Sequence, residues 1–274
     1  MRGVICIYKF KFWQKCATLE AMSNSTTRFS DRVEDYVKYR PHYPEAVLSY
    51  LRDTYPFKPS WVVADIGSGT GISTELFLRA GNRVFAVEPN LAMRNKAEVL
   101  LAGYPGFVSI DGEAEATGLP ADAIDLIVAG QAFHWFDPVR TRQEFGRISR
   151  PGACVALIWN ERLVVSDFEK EYEDLILRHA GDYKTINHKN ISDQQIGAFY
   201  HPQPFLLTSF DNEQRFDFDG LKGRLLSSSY IPKEGKGHDD MIRELDMLFA
   251  RHQSAGQVRV GYETKLYTGI IKVG

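Results

Sequence analysis

The sequence predicts an α/β protein built on a doubly wound, mostly parallel sheet with helices on both faces. Three observations carry that expectation. Short apolar runs alternate with helix-forming segments from residue 62 onward, as parallel strands and their crossovers require. The first run, Val62-Val63-Ala64-Asp65-Ile66, leads into Gly67-Ser68-Gly69-Thr70-Gly71, which reads as strand, tight turn and helix start. The second run, Arg83 to Val87, ends in the acid Glu88.

At 274 residues the chain is long enough for one α/β domain with insertions. Its 33 Lys and Arg against 35 Asp and Glu give a formal net charge of −2, so no basic surface marks a nucleic-acid or anionic-membrane partner. Cys6, Cys16 and Cys154 are an odd count without a CxxC pair, which points to a reducing, cytoplasmic setting and no metal site. No apolar stretch reaches transmembrane length. Gly3 to Tyr8 is too short for a signal-peptide core and is followed by Lys9 and Lys11. Met22 then opens a polar run to Thr27 that has the look of a protein start. Residues 1–27 are therefore expected to be a disordered N-terminal extension, with the first 21 outside the fold, and 28–274 a single domain. Its core would span about 60–160, and 161–274 would supply a cap and complete the sheet.

From Arg28 the chain is helical in character until Tyr36-Val37-Lys38-Tyr39-Arg40-Pro41-His42-Tyr43-Pro44 interrupts it, and Glu45 to Leu51 is the next helix. Ile72 to Ala80 forms a helix after the glycine turn and stops at Gly81. Another helix starts near Leu91 after the second strand. Phe107 to Asp111 and Ala123 to Ala129 are the third and fourth strands. Pro138 to Ile148 is a helix, Arg150-Pro151-Gly152 a turn, and Ala153 to Trp159 a fifth strand in which Cys154 is an inert core residue. Beyond Asn160 the signals thin. Ser166 to Gly181 reads as an N-capped amphipathic helix with Glu169, Lys170, Glu171 and Asp174 on a solvated face. Ile186 to Tyr200 is ambiguous, and Phe205 to Phe210 and Gln214 to Phe218 have strand character. Leu221 to Leu226 is a short helix, Ser227 to Pro232 a polar break, Asp240 to His252 a helix and Val258 to Tyr267 the closing strand.

The glycines of the turn permit positive φ and let main chain approach a ligand where a Cβ would collide. The N–H groups at the following helix start can face an anionic or hydrogen-accepting group. A dinucleotide fingerprint would place its third glycine at Ile72, and a P-loop would need a Lys-Ser or Lys-Thr pair that is absent. Glu88, roughly twenty positions after Asp65, can accept from a ribose diol or cap the next helix. Gly112-Glu113-Ala114-Glu115-Ala116-Thr117-Gly118-Leu119-Pro120 follows the third strand, and Gly130-Gln131-Ala132-Phe133-His134-Trp135-Phe136-Asp137 follows the fourth.

Taken together, Asp65 to Gly71, Glu88, the acid-Ala-Glu segment with Leu119-Pro120, and the Gly130 to Asp137 stretch resemble the class I S-adenosylmethionine-dependent methyltransferases of the methyltransferase type 11 family. Tyr39-Arg40-Pro41-His42-Tyr43-Pro44 resembles the trans-aconitate-methyltransferase-like branch, where the N-terminal segment covers the cofactor. The resemblance implies a Rossmann-like sheet of about seven strands with an antiparallel C-terminal strand and a helical cap. It also implies S-adenosylmethionine as cofactor and S-adenosylhomocysteine as product. The implied cofactor contacts are Tyr39 and Arg40; Asp65, Gly67, Ser68, Gly69 and Gly71; Glu88 at the ribose, with Pro89 and Met93; Glu113 at the adenine amino group with the Ala114 amide at a ring nitrogen; and Gln131 and Ala132. Read from their chemistry, Arg40 pairs a carboxylate and Tyr36 or Tyr39 stacks over the sulfonium, or all three are packed surface residues.

Methyl transfer from that cofactor is an in-line displacement, which an anionic nucleophile completes by proximity in a dry pocket, while a phenol, alcohol or amine must also lose a proton. His134 is the candidate catalytic residue, as base or as substrate contact beside Trp135 and Phe136; the alternative is a locally bonded imidazole among core aromatics. Substrate candidates are His134, Trp135, Arg40, Arg224, the Ser227 to Tyr230 cluster and Tyr262, for a small molecule such as a carboxylate or other oxygen nucleophile. Two other readings remain: a non-catalytic binder of S-adenosylmethionine or S-adenosylhomocysteine whose cap recruits a partner, and an NAD-dependent oxidoreductase with a divergent turn. The sequence does not specify the acceptor or the oligomeric state.

Overall fold

A computed structural model describes residues 33–180, 192–228, 231–232 and 234–271; the extension expected over 1–27 lies outside the described residues. Helices α1 (Val33–Tyr39) and α2 (Ala46–Thr54) precede β1 (Val62–Ile66), α3 (Ile72–Arg79), β2 (Arg83–Val87), α4 (Leu91–Leu101) and β3 (Phe107–Ile110). Then come β4 (Ile124–Gly130), a 3-10 turn (Phe133–Trp135), α5 (Pro138–Ile148) and β5 (Ser149–Arg162). The chain continues with α6 (Asp167–His179), α7 (Asp193–Tyr200), β6 (Phe205–Phe216), α8 (Phe218–Leu226), α9 (Lys236–His252) and β7 (Val258–Ile270).

The strands form one seven-stranded sheet in the order β3-β2-β1-β4-β5-β7-β6. Pairing is parallel from β3 through β5, and β7 runs antiparallel to both β5 and β6. Strand order reverses between β1 and β4, which opens a crevice at their carboxyl ends, the place where ligands bind in open α/β sheets. Apart from Asp65 and Asp125, β1 and β4 are apolar without alternation because both faces are covered. Val63, Ala64, Ile66, Leu126, Ile127, Val128 and Ala129 are fully buried. One core, with Ile66, Ile127 and Phe145, fills one face, and a second, with Val63, Phe77 and Leu126, fills the other. A third cluster, including Phe168, Leu175, Leu221, Leu245 and Val260, lies beneath the cap helices.

Local chemistry sets the helix starts. Asn90 accepts from the Met93 N–H, Asp137 accepts from Val139 and Arg140 with Pro138 in the first turn, and Ser166 and Glu169 form a reciprocal capping box. The residue at the start of α3, Gly71 in the left-handed region, has no side chain to cap it; the Thr74 backbone N–H donates to the Asp65 carboxylate of β1.

Four expectations are corrected; the first is the turn at Arg150-Pro151-Gly152, which lies within β5 (Ser149–Arg162), where the register with β4 shifts. Glu169 is not on a solvated face: it is 2% exposed, and its carboxylate accepts from Val165, Ser166 and Gly261 N–H groups at 3.0 Å each. Burial pushes its pKa up, but those backbone bonds outweigh it and hold the carboxyl below the usual range. The two separate strands expected across Phe205 to Phe218 are one strand, in unbroken register with β7 from Phe205 opposite Gly269 to Phe216 opposite Val258. Asp211-Asn212-Glu213, the gap between those two expected strands, alternates across an edge strand, and Glu213 pairs with Arg215 and Arg259. Phe218, expected at a strand end, opens α8, and the ambiguous segment before Tyr200 ends in helix α7.

Candidate functional site

Gly67, Gly69 and Gly71 have φ of 67°, 57° and 91°, the left-handed region that a Cβ disfavours. A Cβ on Gly67 would stand 2.7 Å from the Ala132 Cβ and 3.3 Å from the Phe136 ring, and one on Gly71 would stand 2.6 Å from Leu101 Cδ1. Those two glycines are thus required by the protein's own packing rather than only by a ligand's approach. Gly69 differs: a Cβ there would meet only Met93 Sδ, at 3.6 Å, so its surface faces the crevice. Ser68 is buried within the turn.

Asp65 is fully buried beneath the turn, where Oδ2 accepts from Ser73 Oγ at 2.7 Å and Thr74 Oγ1 at 2.6 Å. It ties the strand end to the first turn of α3. Burial raises its pKa to about 6 against the lowering effect of those hydrogen bonds. Asp65 Oδ1 and Thr70 Oγ1 are buried without a hydrogen-bond partner among the described residues.

Glu88 sits at the end of β2, 8% exposed, and accepts from the Gly69 N–H through Oε2 and the Asn90 N–H through Oε1, both at 2.8 Å. Burial raises its pKa and these two bonds oppose the rise. Helix capping falls to Asn90 instead. Each Glu88 oxygen retains a lone pair beyond these bonds. Pro89 follows it, and Met93, on the first turn of α4, is buried against the turn. In the acid-Ala-Glu segment the side chains divide. Ala114 is buried, Glu113 is exposed, and Glu115 accepts from the Asp137 N–H at 2.6 Å, binding the loop to the start of α5.

Gln131 holds φ 56° at the carboxyl end of β4, a costly position for a residue with a side chain. Its N–H donates to Ile158 O and its Nε2 to Asn160 O. Ala132 is buried against Gly67. His134 lines a cavity of about 410 Å³ with Phe133, Phe136, Arg142, Gln195 and Phe199 among its walls. The residue as a whole is half-buried, and its ring tilts against Trp135 with centroids 4.7 Å apart. Its Nδ1 is buried without a hydrogen-bond partner among the described residues. Burial lowers its pKa to about 4, so the imidazole is neutral at pH 7. Phe136 touches both this cavity and the Gly67 turn.

The N-terminal segment runs along the sheet's upper rim. Glu34 of α1 pairs with Lys96 of α4 at 2.6 Å, and the Tyr39 ring fills the space above Gly223 of α8, so α1 bridges the α4 side of the crevice and the cap. Arg40 donates to Ser227 O at 3.2 Å. Arg224 is buried and donates to Tyr262 Oη at 3.0 Å and Ser228 Oγ at 3.3 Å. Four of the substrate candidates, Arg40, Arg224, Ser227 and Tyr262, thus come together around α8. Tyr230 lies outside the described residues. Sequence reasoning missed Asn160, Asn212, Gln214 and Tyr43. Their only signal was a polar side chain at a strand's carboxyl end for Asn160, and Tyr43's place in the Pro-flanked segment.

A doubly wound sheet in this strand order, with a glycine turn at its switch point and an acid closing the second strand, defines the class I S-adenosylmethionine-dependent methyltransferase fold. Residues 64–157 match the family described as methyltransferase domain. The chain is 35% identical over 134 residues to an uncharacterized methyltransferase of Mycobacterium bovis, 49% of this chain and 52% of that protein, so it spans about half the length of this relative. It is 25% identical over 244 residues to one of Schizosaccharomyces pombe, covering 88% of this chain and 95% of that one. A solved structure assigned as a Type II methyltransferase from Anaeromyxobacter dehalogenans superposes with a TM-score of 0.66 at 24% identity over 86% of this chain and 100% of that chain, a likeness of fold. Among the described residues no helix is long and apolar enough to cross a membrane, and no His, Cys, Asp and Glu group is placed to hold a metal ion.

Proposed function

We propose that the protein transfers the methyl group of S-adenosylmethionine to a small-molecule acceptor carrying a carboxylate or another oxygen nucleophile. The observation that carries this reading is the convergence of two cationic side chains, Arg40 and Arg224, around α8, positive charge that suits an anionic acceptor. It takes 28–274 as one domain, in which the cap supplies the acceptor side.

The crevice residues fit the cofactor. Glu88 is assigned the ribose hydroxyls through its remaining lone pairs. The start of α3 is assigned the amino-acid tail, with Asp65 and Ser68 beneath it. Met93, Gln131 and Ala132 line the transfer side, and Glu113 with the Ala114 amide takes the adenine. The bound cofactor supplies an electrophilic methyl group. What remains for the chain is to hold the acceptor in line and keep water out. An oxyanion acceptor loses no proton. A His134 pKa of about 4 makes the imidazole a weak base, suited to contact more than to proton abstraction.

The test is transfer of a labelled methyl group to a panel of di- and tricarboxylates, phenols and amines. Label in a carboxylate or phenol supports the reading. Label confined to amines removes the oxygen acceptor, and cofactor binding without transfer to any metabolite favours the non-catalytic binder.

A further inference from the structure

Three backbone carbonyls of the rim segment, those of Tyr39, Pro41 and His42, are held by side chains from distant parts of the chain. Gln214 Nε2 donates to Tyr39 O at 3.2 Å. Asn160 Nδ2 donates to both Pro41 O and His42 O at 3.3 Å. Asn212 Nδ2 donates to His42 O at 2.8 Å. The segment's end is placed by Tyr43, whose hydroxyl lies 2.7 Å from where a Gly130 Cβ would stand, beside Ser73 Oγ at 3.0 Å from the same point. Ser73 in turn bonds Asp65. The strap therefore ends directly over the switch-point crevice.

Asn160 is the node of this arrangement. It is 4% exposed at the carboxyl end of β5, and its Oδ1 accepts from Thr264 Oγ1 at 2.5 Å and from Asn212 Nδ2 at 3.2 Å. That fixes the amide so that both Nδ2 hydrogens face the strap. Its backbone carbonyl accepts from Gln131 Nε2 at 3.0 Å, the residue that holds a left-handed φ at the carboxyl end of the neighbouring strand β4. One residue so connects the strap above the crevice to the β4 end beside it, and it does so with a carboxamide: a carboxylate keeps the acceptor but has no donor to offer two carbonyls.

We propose that Asn160 is a positioning residue for cofactor capture: by donating to Pro41 O and His42 O it latches the 39–43 strap over the crevice, with Asn212 as the second half of the latch. Removing the donors leaves the two carbonyls facing an acceptor and lets the strap lift, so cofactor retention falls while the acceptor chemistry is untouched. The inference rests on the proposed methyltransferase reading for its cofactor arm but not for its strap arm.

The experiment compares wild type with Asn160→Asp, Asn212→Ala and Asn160→Gln in two measurements. Hydrogen exchange over the strap peptide is followed without cofactor, and S-adenosylmethionine affinity and the KM to kcat split are measured with it. Asn160→Asp should speed strap exchange and weaken cofactor binding about tenfold, the equivalent of one or two lost hydrogen bonds, with kcat at saturation near wild type. Asn212→Ala, on an edge strand where a loss of folding is not at issue, should show the same pattern to a smaller degree. Asn160→Gln, which restores a donor at the wrong reach, should recover at most part of it. Unchanged strap exchange in both Asn160→Asp and Asn212→Ala overturns the latch, as does cofactor affinity within twofold of wild type when exchange has risen. A wild type that binds no S-adenosylmethionine overturns the functional reading instead, and strap exchange alone then decides the latch.

Discussion

The carboxyl ends of β1 and β5 sit on the same rim and are built in opposite ways. At β1 the shape comes from missing atoms: glycines at 67 and 71 leave room for Ala132 and Leu101, and the polar groups beneath the turn come from within ten residues of one another. At β5 it comes from atoms present. Asn160, Asn212 and Thr264 are carried on three strands; the two asparagine amides reach carbonyls more than a hundred positions away, and the Thr264 hydroxyl donates to Asn160 Oδ1. A turn whose glycines must hold positive φ tolerates little change and is legible in a short string. A cluster formed by long-range hydrogen bonds tolerates partial loss and leaves almost no local trace.

That contrast can be broken at several points, in falling order of expected effect. Gly67→Ala must strain φ and push the Ala132 Cβ, so it should cost about 3 kcal/mol of stability. Chemical denaturation measures the loss, and adding Ala132→Gly should recover the steric share but not the φ share. Asp65→Asn tests the buried charge below the turn. Its folded pKa, about 6, lies above the 3.8 of an ordinary aspartate, so the ionised form fits the fold worse. Wild-type stability contributed here therefore declines as pH rises from about 4 to about 6 and is flat above. Relative to wild type, the Asn variant should gain up to about 3 kcal/mol between pH 4 and pH 8, read from melting curves across that range. A flat difference would show that the carboxyl is not desolvated.

Glu144 supplies the opposite sign. Hydrogen bonds and charge from Arg147, against the opposing effect of burial and with help from Thr117, hold its carboxyl down at about 2. Its contribution is present above about pH 4.5 and lost as pH falls toward 2. Glu144→Gln should cost about 1 kcal/mol at pH 7 after allowance for the half-exposed arginine, and the gap to wild type should close below pH 3 in an acid unfolding series. The smallest effect is expected at His134. With a neutral ring pushed to about 4, His134→Ala should lower kcat at saturating cofactor by less than about tenfold. A larger loss, with a pH profile that changes shape, would restore it as the base.

The parallel half of the sheet was legible because its strands are largely apolar runs ended by glycine or acid, and because Glu88 and Glu113 fall at strand ends where position carries meaning. Glu169 was misread because a charge on a helix is ordinarily solvated; its bond to Gly261 is set by a strand about ninety positions on. The continuity of β6 through Asp211-Asn212-Glu213 was hidden since an edge strand admits polar residues that a central strand would exclude. Asn160 ended a clear strand and went unremarked, for nothing local in Trp159-Asn160-Glu161 says that two backbone carbonyls of a proline segment lie within reach.

The direct test of the account is calorimetric titration of the wild type and Glu88→Ala with S-adenosylmethionine, with NAD as the control ligand. Micromolar binding of S-adenosylmethionine by the wild type, at least about tenfold weaker in the variant and with NAD weak in both, is the predicted result. Equal affinity in the two proteins, or NAD bound more tightly than S-adenosylmethionine, would contradict the assignment of Glu88 and the glycine turn as the cofactor cradle.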